Sequence, residues 1–262
     1  MRPLLLFLFS LATGTAFAAG GAGDLLVSPT RVVLDRQTHT AELTLMNTGT
    51  APATYRVDVT HVRMTESGAF VASDEPADAF ADAYVQFSPR RVVLQPRVVQ
   101  TVRVRMRPPA TPVAGELYLH LLFHGEPPIP RAAAEPNGKS MSVSVTPIYG
   151  VAVPVIVRLE DIPAPTVQIA DVRLAKADAV AFQLVRDGNC STYGNITVTF
   201  TPSGGEAQEV AVLRGLSIYA PLPRRSVTLP LRTPLRDGTL QVSYVDSERN
   251  GSQRAVATLA VP

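Results

Sequence analysis

Residues Val85 to Pro109 read VQFSPRRVVLQPRVVQTVRVRMRPP, with valine and arginine in near-alternation between prolines and no helical stripe. Successive side chains of a strand point to opposite faces. Val98, Gln100, Val102, Val104 and Met106 therefore share one face, mostly inward, and Val99, Thr101, Arg103, Arg105 and Arg107 share the other. The first face suits a core and the second suits water. An arginine row also suits an acidic partner or RNA, but the interleaved aromatics that stack bases are absent.

The same period runs outward in both directions. LLVSPTRVVL, TAELTLMN, ATYRVDVTHVRM, AYVQFSPRRVVL, VVQTVRVRMR, GELYLHLLFHG and MSVSVTPIYGVAVPVIVRL are alternating runs rich in β-branched residues and separated by turn residues. About seven strands in ~135 residues is the spacing of an all-β sandwich. Pro29, Pro89 and Pro96 mark edges, bulges or strand switches, because proline donates nothing to a sheet ladder. Glu75 to Tyr84 reads as a short helical turn or a loop, and the proline- and alanine-rich connection from His124 to Ser140 as a long mobile one. EDIPAP, Glu160 to Pro165, reads as a stiff linker. Beyond it a further set of about seven runs, from VQIADVRLAK to RAVATLAV, predicts a second and smaller sandwich. The expected organisation is 1–19 leader, 24–159 first domain, 160–165 linker and 166–262 second domain.

The leader, MRPLLLFLFSLATGTAFAA, has one arginine, an apolar run and a small-residue ending, the pattern of a secretory signal peptide. Its apolar run is well short of the ~20 residues that span a bilayer, and no later segment is long and apolar enough. Without Arg2 the charge is nearly balanced, 23 basic against 22 acidic residues, so no global field steers nucleic acid or an anionic membrane. Cys190 is the only cysteine and excludes an internal disulfide; it reads as a half-buried small residue with no role.

The ordered pieces resemble the first domain of the periplasmic pilus (fimbrial) chaperones. They are VSPTRVVLD with Arg31, then Phe87, Pro89, Leu94, Pro96, Gln100, Val102 and Arg103, then Gly115, Glu116 and Leu117; weaker similarity continues in GNCSTYGNITV and YAPLPRRSVTLPL. The resemblance implies two immunoglobulin-like β-sandwich domains set at an angle with a cleft between them. It also implies a periplasmic chaperone that completes pilus or surface-appendage subunits by donor-strand complementation, a form of strand addition to a sheet edge. An outer-membrane usher and a self-capping dimer are further partners it suggests. Met141, Val143 and Val145 of MSVSV share one face, at the place where the family lends its strand, and the opening stretch would supply the two central strands supporting that edge. An ordinary half-buried strand shows the same alternation. Burying three such side chains is worth on the order of 5 to 9 kcal/mol before ordering costs.

The family anchors the client's C-terminal carboxylate with an arginine and a lysine. Arg31 matches the arginine, and its planar fork suits a carboxylate. The lysine is missing; the expected place, near Tyr149 or Gly150, offers a phenol and backbone amides. His120 and His124, with Glu116 on the same strand face, are ~13 Å apart and too distant to share a metal. No G-x-S-x-G, H-E-x-x-H or phosphate-binding glycine loop is present, so neither catalysis nor a cofactor is expected. A structural or adhesive β-sandwich component of a surface appendage is the alternative. GGAGD after the leader is too short and too poor in apolar residues to be a donor arm. A carbohydrate-binding module would want exposed aromatics, and the chain has no tryptophan.

Overall fold

The computed structural model describes residues 24–75, 80–107, 115–127, 148–176, 178–248, 251 and 254–262. The leader and Met141, Val143 and Val145 lie outside the described residues. The first sandwich comprises β1 (Leu25–Ser28), β2 (Val32–Leu34), β3 (Thr40–Asn47), β4 (Ala53–Thr60), β5 (Val62–Met64), β6 (Phe70–Ala72), β7 (Val85–Ser88), β8 (Arg91–Leu94), β9 (Val99–Met106), β10 (Glu116–Gly125) and β11 (Gly150–Arg158). One sheet has the order β1-β3-β9-β7 and the facing sheet β2-β11-β10-β4-β8, while β5 and β6 form a separate hairpin.

Alternation places the core. Leu43, Leu45, Val102 and Val104 of the first sheet meet Tyr55, Val57, Leu119, Leu121, Phe123, Val153 and Val155 of the second, all buried. The arginines Arg103, Arg105 and Arg107 stay exposed, and Val98, outside the strand, is exposed too. Val85 to Pro109 does not form two central strands. It forms three, with β7 and β8 at sheet edges and only β9 inside, between β3 and β7. The prolines explain the difference: at Pro89 the chain leaves one sheet for the other, and at Pro96 it returns. The turn after β8 closes with Arg97 at a positive φ of 62°, its N–H donating to the Asn47 carbonyl at 2.8 Å. The helical turn expected before β7 is a short 3-10 turn, Phe80–Tyr84.

The second sandwich comprises β12 (Thr166–Lys176), β13 (Ala179–Asp187), β14 (Thr192–Pro202), β15 (Gln208–Ile218), β16 (Arg224–Pro230), β17 (Gly238–Asp246) and β18 (Arg254–Val261). Its sheets have the orders β12-β13-β16 and β15-β14-β17-β18. Phe182, Leu184, Ile196, Val198, Leu240, Val242 and Tyr244 fill its core. Between Arg158 and Thr166 the connection carries no strand and is held locally. Gly115 N donates to the Glu160 carboxylate at 2.9 Å, and the Cys190 thiol donates to the Pro163 carbonyl at 3.3 Å. Cys190 is thus fully buried rather than half-buried: the loop after β13 folds it beneath the linker.

Gly194 on β14 marks the tightest packing in this sandwich, since a Cβ there would overlap both the Tyr244 ring and the Val245 carbonyl. Gly194→Ala is expected to destabilise the second domain by roughly 2 to 3 kcal/mol through overpacking, read as a lower urea midpoint. An unchanged midpoint would show that the Tyr244 ring moves aside freely.

Candidate functional site

Period two gives β11 two different faces. Val153, Val155 and Val157 enter the first core, while Ile156 packs with Met64 and Tyr219 in a small cluster that joins the two sandwiches. Pro154 lies on this second face and lines the cleft. On β10, Glu116, Tyr118 and His120 share the cleft side by the same alternation. Tyr118 stacks on Tyr219 with ring centroids 5.0 Å apart, and Phe70 of the β5–β6 hairpin meets His120 edge-on at 5.2 Å. The hairpin reaches the second sandwich as well, where Ser226 N donates to the Glu66 carbonyl at 2.7 Å.

Arg31, just ahead of β2, points into this cleft with a side chain only 7% exposed. Its Nε donates to Glu248 at 2.7 Å, one terminal nitrogen to the Tyr219 hydroxyl at 3.3 Å and the other to Ser191 Oγ at 3.3 Å. The guanidinium also lies 5.0 Å from the Tyr193 ring centroid and 5.5 Å from that of Tyr219, within cation–π range. The second Glu248 oxygen accepts from Arg158 at 2.9 Å. Arg158 donates in turn to Glu116 at 2.9 Å, and the other Glu116 oxygen accepts from Ser191 N at 3.0 Å. Two arginines and two glutamates thus form an alternating chain across the domain junction, with Arg31, Arg158 and Glu116 from the first sandwich and Glu248 from the second. Arg31 does meet a carboxylate in the cleft, and that carboxylate belongs to the chain itself.

Burial works to raise the Glu248 pKa, but Arg31 and Arg158 outweigh it and leave the carboxyl below its ordinary range. Burial likewise opposes the charge on Arg158, and Glu116 and Glu248 reverse the balance, so its pKa lies above the usual arginine value. His120 has no such partner. It is buried and its Nδ1 lacks a hydrogen bond; desolvation first, then the Arg31 and His61 charges, push its pKa down to about 4.

Tyr149 does not join Arg31. Val32 pairs with Val155 in parallel register, which sets Arg31 beside Pro154, and Tyr149 is five residues upstream, on the order of 16 Å along the strand. Tyr149 is instead a 59% exposed residue at the start of β11. β2 covers only Val155 to Val157 on that edge. From Gly150 to Val153 the same edge has no strand partner among the described residues, and Ile148 and Val151 are exposed there. His120 and His124 also part company, since His124 pairs with Asp58 at 2.8 Å. Glu248, Arg158 and Tyr219 are functional candidates that sequence reasoning missed; Glu116 was placed in a motif without a role.

No protein-family model matches the chain, and no curated protein matches it. Several solved structures are similar in fold. The E. coli chaperone DraB is 18% identical over 89% of this chain and 95% of that one, with a TM-score of 0.46. The Pseudomonas aeruginosa CupB2 chaperone is 12% identical over 90% and 100%, with a TM-score of 0.45. A structure of the Salmonella enterica SafA pilin with the SafB chaperone gives 13% identity over 90% and 96%, with a TM-score of 0.45.

Two outcomes test the electrostatics. Glu248→Ala leaves two buried guanidinium groups short of a counter-charge and is expected to cost about 3 kcal/mol of stability. Glu42→Ala, which breaks the exposed pair with Arg103, should cost under about 1 kcal/mol; equal effects in denaturant titrations would refute the buried clasp. His120 accepts a proton near 6.5 when unfolded but only at about 4 when folded, so between those values the unfolded state holds more protons. Stability is complete above the upper value, declines as pH falls through the window, and changes by on the order of 3 kcal/mol. His120→Asn should flatten that slope in urea titrations from pH 7 to pH 4.

Proposed function

We propose that this protein is a periplasmic chaperone that binds pilus or surface-appendage subunits by lending them an edge strand. The observation that carries the reading is the unfinished edge of β11. β2 runs parallel to β11 and occupies its edge only from Val155 onward, so a guest strand lying parallel along the preceding residues would be collinear with β2 and would have to stop where β2 begins. Its last carboxylate would then arrive beside Arg31. A mid-chain guest would bring no charge to that point, and an antiparallel one would bring its N-terminal ammonium, which Arg31 repels.

The donor residues extend this edge by sequence phase. Met141, Val143 and Val145 occupy the same odd-numbered positions as Tyr149, Val151 and Val153, and would offer apolar side chains to a sandwich that lacks a strand while backbone pairing fixes the register. Tyr149 serves in the same row as a contact along the guest, not as a partner of its carboxylate. Arg31 takes the carboxylate role, with donors left after its bonds to Glu248, Tyr219 and Ser191. A dimer that covers the edge when no subunit is present would answer the hazard of an unpaired apolar edge, and an outer-membrane usher receiving the subunit is a further partner that the resemblance suggests.

Purification of the tagged protein from periplasm should bring down an exported protein. Val143→Asp and Val151→Asp, each placing a charge in an apolar groove, are expected to weaken that capture by roughly 30-fold or more, equivalent to about 2 kcal/mol or more. Val151→Asp should lower stability by no more than about 1 kcal/mol, because Val151 lies outside the first core cluster and is partly exposed. Undiminished capture by both variants would refute strand lending.

A further inference from the structure

The β5–β6 hairpin belongs to neither sheet of the first sandwich. Its strands have three residues each, all of β6 is exposed, and a two-stranded hairpin of this size is marginal in water on its own. Its position therefore comes from what it touches. Met64, the one buried residue of its two strands, packs with Ile156 and Tyr219. At the tip, Ser226 N of β16 donates to the Glu66 carbonyl at 2.7 Å. Gly68, with a φ of +82°, lies so close over Arg225 that a Cβ there would overlap the guanidinium. Phe70 meets the His120 ring edge-on at 5.2 Å and the Tyr219 ring at 5.9 Å. The hairpin thus spans the junction. It walls a cavity of about 380 Å³, lined by Met64, Gly68 and Phe70 on one side and by Arg214, Arg225 and Tyr219 of the second sandwich on the other.

His120 sits beneath this wall, 3% exposed, with its Nδ1 buried and without a hydrogen-bond partner. Phe70 reaches it from β6, Tyr118 from its own strand and Tyr219 from just beyond β15, while Thr60 and Pro154 are its neighbours on β4 and β11. The charges that act on it are those of Arg31 and of protonated His61; His61 in turn meets Asp82 of the 3-10 turn at 3.3 Å. An imidazolium at this place would bury an N–H that has no acceptor and would face two cations, whereas contact with water removes both costs. Thr60 and Pro154 are tied into sheet ladders, and Tyr118 and Tyr219 are stacked on each other across the junction. The hairpin is the cover that can leave without unmaking a core.

We propose that the β5–β6 hairpin is an acid-released latch on the domain junction, docked on the second sandwich while His120 is neutral and freed when His120 takes up a proton, with both sandwiches still folded. The latch needs no guest chain at β11. Undocked, His120 accepts a proton near its ordinary 6.5; docked, it does so only at about 4. Docking is therefore at full strength above the upper value and is lost as pH falls through the window. From pH 7 to pH 5 the docking constant drops roughly 20-fold.

The test is amide hydrogen exchange on the full chain, followed by NMR and corrected for the intrinsic effect of pH on exchange. Gly68 and Ser73 N–H, which donate within the hairpin to Thr65 and to its root at His61, and Ser226 N–H across the junction report on the latch. Val104 of β9 and Val198 of β14 report on the two cores. At pH 7 the three latch amides are expected to be at least about 100-fold less protected than the two core amides, as local opening requires. Their protection should fall about 20-fold further by pH 5. His120→Gln should abolish that fall and His61→Gln should leave it. Should His120→Gln fail to fold, the wild-type His120 ring resonances must titrate over the same interval in which Ser226 loses protection. Latch amides that exchange no faster than the cores would mean that His120 is uncovered only by global unfolding, and the proposal falls. Protection that does not change with pH, a fall that survives in His120→Gln, or one that His61→Gln abolishes overturns it equally.

Discussion

The chain of charge from Arg31 through Glu248 and Arg158 to Glu116 fixes how the two sandwiches meet. Each member is desolvated, so each depends on its neighbours, and removing one exposes the rest to the full cost of burying an ion without a partner. The pattern also explains how buried ions are tolerated here: every glutamate oxygen accepts a bond, from Arg31, Arg158 or Ser191 N. Around it, Met64, Ile156 and Tyr219 form an apolar seal that lowers the local dielectric and strengthens the same attractions. Geometry comes from the ions and cohesion from the apolar contacts.

That junction places β11 under two obligations. Val153, Val155 and Val157 close the first core, and Pro154, Ile156 and Arg158 on the other face build the cleft. Neither role needs the strand's outer edge, and the short β2 covers only three residues of it. A longer β2 would have completed the sheet and removed the exposed backbone groups. With β2 this short, the edge of β11 from Gly150 to Val153 has no strand partner among the described residues, which is the physical basis for reading it as a place where another chain pairs.

The strands were legible because alternation is a local property, recorded within a few consecutive residues. All seven runs of the second sandwich correspond to β12 to β18. Where an alternating run shifts phase inside one apparent strand the reading merged two elements: in ATYRVDVTHVRM the apolar positions pass from Tyr55, Val57 and Val59 to Val62 and Met64, and the shift at His61 marks the break between β4 and the β5–β6 hairpin. The arginine-valine stretch misled in a similar way, since both phase and sheet membership change at Pro89 between β7 and β8. The site was far less visible. Arg31 and Glu248 are 217 positions apart, and no spacing rule connects residues brought together only by two independently folded sandwiches. Near the start of β11 there is no second cation, only the Tyr149 phenol, which the parallel register carries far from Arg31, whereas Arg158 reaches the cleft from the far end of β11 and Arg214 and Arg225 from the other domain.

The two arginine sets in the cleft differ in balance, and the difference matters for how the cleft can work. In the clasp two positive charges meet two negative ones, so the interaction is satisfied without any visitor and the domains stay registered. In the adjoining cavity Arg225 donates to the Ser217 carbonyl at 2.9 Å and makes no ion pair among the described residues. With Glu248 shared between Arg31 and Arg158, and Glu116 committed to Arg158, the bonds that hold the sandwiches together are complete without any contribution from the adjoining cavity.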